Sequence, residues 1–394
     1  MKRSQLESRD LNRLHLSSGD AHHYISEQLS HLLSNAIAGY SCDRQTVSDM
    51  VVKASTTGAA IEGTCNAFTD APTGMTVRSY LNGELSVTEL QEIECKMQSM
   101  LKVDLPRRLW KWSLDLAMDL HDEPFYGKDP TLCAYACRGE AYKGTTWFYR
   151  VATVYIVHHQ IPCTLGIVFV LPEYSIQGVL EVLLHQIQSL ELRIRGLYLD
   201  KGFCVQPVIT FLESKPYEVI IACPIRGRKG GTRALCHGRK SYFTEYTFYA
   251  GKPKAYTVPI TVVRTYAKRH GKRRAVWLLY VTLNSSTKNP RTIRARYRSR
   301  FGIEASYRCM RQTHAMTTSR NPTLRFFLLA LAFLIINLWC MLRWRFCQIP
   351  RRGRRFIDQD TYELQRHRQF IAQVIDEIYH PLSCILAQVA PLDL

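Results

Sequence analysis

Three carboxylates stand out by where they fall in the chain. Asp119 closes the alternating run "SLDLAMDL", Asp200 closes the short apolar run "GLYLD", and Glu304 is the one acid in the arginine-crowded stretch "YRSRFGIEASYRCMR" at residues 297–311. In an open α/β sheet, side chains gather into a crevice at the strand ends. Hard carboxylate oxygens placed there suit Mg²⁺, or Mn²⁺, which takes few protein ligands and completes its shell with water and substrate phosphate. Two such ions side by side activate an attacking oxygen and steady the leaving one, so the implied chemistry is phosphodiester cleavage and transfer. Asp115 and Asp122 are rivals for the first acid. Asp115 shares the Asp119 face but lies earlier in the strand, and Asp122 is expected in a turn beyond its end, before Pro124, so Asp119 is preferred.

The stretch around Glu304 adds charge for the substrate. Counted from Tyr297, residues Arg300, Glu304 and Arg311 fall at +3, +7 and +14, which on one continuous helix places all four within about 60° of each other. A carboxylate for metal, arginines for phosphate and a tyrosine for hydrogen bonding or stacking would then share a face, with Arg308 one turn beyond Glu304. The plainer alternative is a surface stripe in which Glu304 pairs with Arg300 or Arg308, worth a few tenths of a kcal/mol.

Composition agrees with an anionic partner. The 394 residues carry 52 Lys+Arg against 33 Asp+Glu, a formal charge of +19, which favours nucleic acid. The 13 cysteines show no repeated two-residue gap of a zinc site. The start lacks the apolar core of a signal peptide, and a reducing cytoplasm, at the nucleoid, is the expected compartment. "FFLLALAFLIINLWCML", at residues 326–342, is at the short limit for a membrane span, but arginines flank it on both sides. A buried core helix is expected there.

Around these residues the pattern predicts the following organisation. Residues 1–105 form a small helical domain, with a candidate helix-turn-helix in "MTVRSYLNGELSVTELQEI". Residues 106–225 alternate strands with the amphipathic helix "SIQGVLEVLLHQIQSL", giving a mixed α/β sheet. Residues 226–290 are Tyr-, Val- and Lys/Arg-rich strands of a β-rich insertion whose aromatics and cations suit stacking and phosphate contact. Residues 291–346 hold the helix of Glu304 and the apolar helix, and 347–394 form a basic helical tail.

Taken in order, "DLAMDLHDEPFYG", "YKGTTWFYRVATVYIV", "LYLDKGFC", the Glu304 stretch and "TTSRNPTLRFFLLALAFLIINLW" resemble the DDE transposases of bacterial and archaeal insertion sequences. The likeness spans roughly residues 110–345 and is nearest to the group whose last motif reads Tyr, two residues, Arg, three residues, Glu, six residues, Lys. It implies an RNase H-like catalytic core with a β insertion before the last acid. By position, Asp119, Asp200 and Glu304 match the three metal-binding acids, and Tyr297 and Arg300 match the signature. Arg311 stands where the group has Lys, which keeps the charge and alters the geometry. The resemblance further implies Mg²⁺-dependent cleavage at terminal inverted repeats, strand transfer to target DNA, a dimer or larger synaptic assembly on DNA, and an apolar helix packed behind the catalytic helix rather than in a membrane. The alternative of another class is a DNA-binding protein without catalysis, a decayed element or a regulator.

Overall fold

A computed structural model describes residues 15–33, 42–102, 105–158, 161–269, 272–349 and 356–384. The chain divides into two compact units, one made of residues 1–100 and 308–394, the other of 101–307. The helical unit opens with α1 (Ser18–Ser30), α2 (Arg44–Thr57), α3 (Ile61–Cys65), α4 (Gly74–Glu84) and α5 (Leu90–Leu101). Their starts are written in the sequence. Ser17 and Asp20 form a reciprocal capping box on α1, and Asp43 accepts from the Thr46 amide at 2.7 Å on α2.

The second unit is built on one sheet that holds nine strands among the described residues. These are β1 (Ser113–Pro124), β2 (Cys137–Tyr142), β3 (Thr145–Ile156), β4 (Thr164–Val170), β5 (Arg193–Leu199), β6 (Glu218–Cys223), β7 (Tyr242–Phe248), β8 (Tyr256–Arg269) and β9 (Lys272–Leu283). A short helix α6 (Pro130–Cys133) follows β1, α7 (Ile176–Gln188) links β4 to β5, and α8 (Gln206–Glu213) links β5 to β6. The order is β2-β3-β1-β5-β6-β9-β8-β7, with β4 also on β3. Strand β1 runs parallel to β5 and β5 parallel to β6, while β3 and β9 close the two sides antiparallel. The central strands are buried on both faces, as at Leu116–Met118, Leu197–Leu199 and Val219–Ile221. Helix α7 covers one face with Val179, Leu180, Leu183, Leu184 and Ile187, the residues its period selects.

Two expectations are corrected here. The strand carrying Asp119 does not end at residue 120. It continues to Pro124 because β3 pairs with it as far as Pro124↔Phe148, so Asp122 is a strand residue opposite Arg150 and not part of a turn. The expected β-rich insertion holds β7–β9, which extend the same sheet, with β9 hydrogen-bonded along β6. The presumed single helix at 297–311 is two helices, α9 (Pro290–Arg298) and α10 (Phe301–Gln312). At the joint, tight i→i+3 bonds run from Ser299, Arg300, Gly302 and Ile303 back along the chain, and they turn the axis between Tyr297 and Glu304.

The helical unit resumes with α11 (Pro322–Phe346) and α12 (Leu364–Tyr379). Asn321 caps α11 and Pro322 occupies its first turn. Helix α11 is long and apolar enough to cross a membrane, yet 83% of its most apolar window is buried inside the protein. It groups with the N-terminal and C-terminal helices. An all-apolar helix needs cover on every side, and α1, α2 and α12 supply it here. Trp339 donates its indole N–H to the Tyr362 carbonyl at 2.8 Å, which ties α11 to the segment before α12.

Candidate active site

Parallel pairing of β1 with β5 explains why two of the three acids meet. The last paired residues are Met118 and Leu199, so the next residue of each chain segment is an aspartate, Asp119 and Asp200. β5 stops there and β1 continues against β3, where Asp119 faces Thr153. Two carboxylates thus stand where the parallel pairing of β1 with β5 ends.

The joint between α9 and α10 brings the third. Arg300 sits at that joint, is only 6% exposed, and aims its guanidinium at all three acids. Its Nη1 lies 3.3 Å from Asp119 Oδ2, and its Nη2 lies 3.2 Å from Glu304 Oε1 and 3.9 Å from Asp200 Oδ1. The rings of Tyr297 and Phe301, 5.5 and 5.7 Å from the guanidinium carbon, flank it. The Nε of Arg300 is buried with no hydrogen-bond partner among the described residues. One cation therefore serves three carboxylates drawn from three distant parts of the sequence.

The electrostatics of Asp119 follow first from its burial. Burial pushes the Asp119 carboxyl up to about 6; Arg300 and the Leu120 amide pull it down, and Asp200 adds to the rise. The Leu120 amide donates to Asp119 Oδ1 at 3.0 Å. Tyr307 steadies the same strand from α10. Its hydroxyl is 2.7 Å from Thr153 Oγ1 and 3.5 Å from the Asp119 carbonyl, and its ring stacks on His121 at 5.1 Å. Sequence reading passed over Tyr307, because nothing in its spacing separates it from an ordinary core tyrosine.

The rival aspartates have arginines of their own. Asp115 is gripped through both oxygens by Arg195, and Asp122 takes Arg150 Nε and Nη2 at 2.7 and 2.9 Å. Neither joins the group around Arg300. Tyr297 is buried beside Arg300. It lies in a cluster with Tyr198, Ile220, Val263, Tyr280 and Ile293, its ring 4.9 Å from that of Tyr280. Arg308 and Arg311 are exposed on α10.

Among the described residues, no three His, Cys, Asp or Glu side chains are arranged to hold one ion as they stand. The donor set nevertheless suits a hard divalent cation, being all carboxylate oxygen. A positive group, the Arg300 guanidinium, already stands where the three converge. The chemistry of the site fits a cation, with arginine as its present occupant.

Comparison with known proteins bears on the whole chain. No curated protein sequence matches it. Its fold is similar to that of the piggyBac transposase in a cryo-EM synaptic complex with hairpin DNA, with a TM-score of 0.53, 12% identity, and coverage of 92% of this chain and 77% of that one. At that identity the likeness concerns the fold, which is RNase H-like. The sequence profile of the transposase DDE domain matches residues 135–338, a span that takes in Asp200 and Glu304 and begins after Asp119. With more than half of its length matched, the chain belongs to the transposase DDE domain family.

Proposed function

We propose that the chain cleaves DNA at the ends of an insertion sequence and transfers the freed 3′ ends to target DNA, with Asp119, Asp200 and Glu304 as its catalytic carboxylates. The observation that carries the reading is their convergence on one guanidinium from β1, β5 and α10. Mg²⁺ or Mn²⁺, two ions by this reading, would supply the activated water and the charge stabilisation of phosphodiester cleavage. The chain's own residues do the rest. Asp119 is held in β1, and Asp200 directly follows the last residue of β5 paired with it. Glu304 rides in the first turn of α10 and follows any movement of that helix. Arg300 offsets the mutual repulsion of the acids, and Tyr307 holds the β1 backbone at Asp119 in place. Arg308 and Arg311 point their charge outward for phosphate contact. Tyr297 contributes by packing α9 onto the sheet.

The partner is double-stranded DNA, as terminal inverted repeats and as target, and two ends handled together call for a dimer or larger assembly. The similar solved protein is a synaptic complex with DNA, which supports this reading. The test is strand cleavage of a duplex carrying the sequences that flank the reading frame. Glu304→Gln should bind that duplex and not cut it. Equal cutting by the variant would refute the assignment, and a wild-type chain that binds without cutting would favour a non-catalytic regulator.

A further inference from the structure

Strands β8 and β9 outrun the rest of the sheet. Strand β7 stops at Tyr242↔Val262 and β6 at Cys223↔Leu279, whereas β8 and β9 go on pairing with each other through Thr265↔Val276, Tyr266↔Ala275, Ala267↔Arg274 and Lys268↔Arg273. The overhang is a two-stranded ribbon. Its sequence from Val263 to Leu278 contains no acidic residue, and Arg264, Lys268, Arg269, Lys272, Arg273 and Arg274 lie within it. Lys268, Lys272, Arg273 and Arg274 are exposed. Like charges also face each other, since Lys268 pairs with Arg273 in the register.

Such an arrangement costs stability by itself. Like charges directly opposite on an antiparallel pair are destabilising, and a projecting two-stranded ribbon has little packing to offset them. Among the described residues no ion pair involves these cations. What orders the ribbon is aromatic. The exposed ring of Tyr266 lies 4.7 Å from the Arg273 guanidinium and 5.2 Å from that of Arg264. Charge is being held in an extended row, not dispersed.

We infer that this ribbon is a docking arm for duplex DNA that lies in the major groove. A two-stranded β-ribbon fits that groove, and phosphates on its two walls compensate the opposed cations. The inference rests on the DNA-acting reading above but concerns equilibrium binding, so the two fail separately.

The test compares wild type with a variant carrying Lys268→Gln, Lys272→Gln, Arg273→Gln and Arg274→Gln, by fluorescence anisotropy on a labelled duplex across a salt series. Losing four phosphate contacts should make the slope of log K against log salt shallower by about 3 to 4, at about 0.9 per contact. A second variant, Lys268→Arg with Arg273→Lys, keeps the charge and should keep the slope. An unchanged slope in the first variant, or loss of binding to anionic vesicles in place of DNA, would overturn the inference. So would undiminished protection of guanine N7 from dimethyl sulfate when the first variant binds. Continued cleavage by Glu304→Gln would sink the catalytic reading and leave this one standing.

Discussion

The sheet unit holds two kinds of arginine-paired acid, and they differ in how many arginines they have. Asp115 has Arg195, Asp122 has Arg150, and Glu218 has Arg296, whose Nη1 lies 2.7 Å from both carboxylate oxygens, with Ser285 Oγ donating to the same group. Each of these charges is matched one to one and chelated through both oxygens. Around Arg300 three acids share one guanidinium at 3.2 to 3.9 Å, without bidentate geometry. The first arrangement is a finished ion pair; the second is short of positive charge. A folded chain keeps such a shortage where something else is to bind, and an acid pushed up by burial, as Asp119 is, is an expected sign of it.

The contrast is sharpest in what substitutions do. Glu304→Gln should lower strand cleavage on the order of 10³-fold or more while leaving the melting temperature near that of wild type. Arg296→Ala should do the reverse. Glu218 is 8% exposed and would lose its partner in a dry setting, but Arg296 is half-exposed, so the cost is discounted to about 1–2 kcal/mol of stability. Its cleavage rate per folded molecule should not change. Chemical denaturation together with cleavage assays on both variants would expose any blurring of the two classes.

The smallest effect is one of pH. Burial lifts Asp119 from its ordinary value of 3.8 to about 6, so the folded chain holds that proton more tightly than the unfolded chain does. The associated stability is complete below about pH 4 and is lost as pH rises through about 6. Asp119→Asn should therefore gain in melting temperature relative to wild type as pH goes from 4 to 7. A difference independent of pH would mean Asp119 is not held against burial.

How much of this was legible in the sequence depended on whether local pattern or long-range pairing was in charge. Strands β3 to β6 and helix α7 could be read from β-branched runs and a 3.6-residue period, and so could the position of Asp200 directly after β5, whereas Asp119 lies within β1. Asp122 was misread because Pro124 looked like a stop, while the pairing of β3 carries the strand through it. The β2–β3 hairpin was missed although Lys143 and Gly144, both at positive φ, form the two-residue turn that closes it. The joint at Ser299–Arg300 carries no proline. A continuous helix and a broken one share the same residue spacing there, so the joint carries no signal of its own. Nor could spacing show that Arg300 would turn toward Asp119, because that contact depends on how α10 meets β1.

The most direct measurement is a Mn²⁺ titration followed by electron paramagnetic resonance, on the DNA-free protein and two variants. If the group around Arg300 is a cation site with arginine as occupant, wild type should bind Mn²⁺ saturably, Asp119→Asn should lose that binding, and Arg300→Gln should bind more tightly than wild type. Undiminished binding by Asp119→Asn, with no gain in Arg300→Gln, would contradict the account.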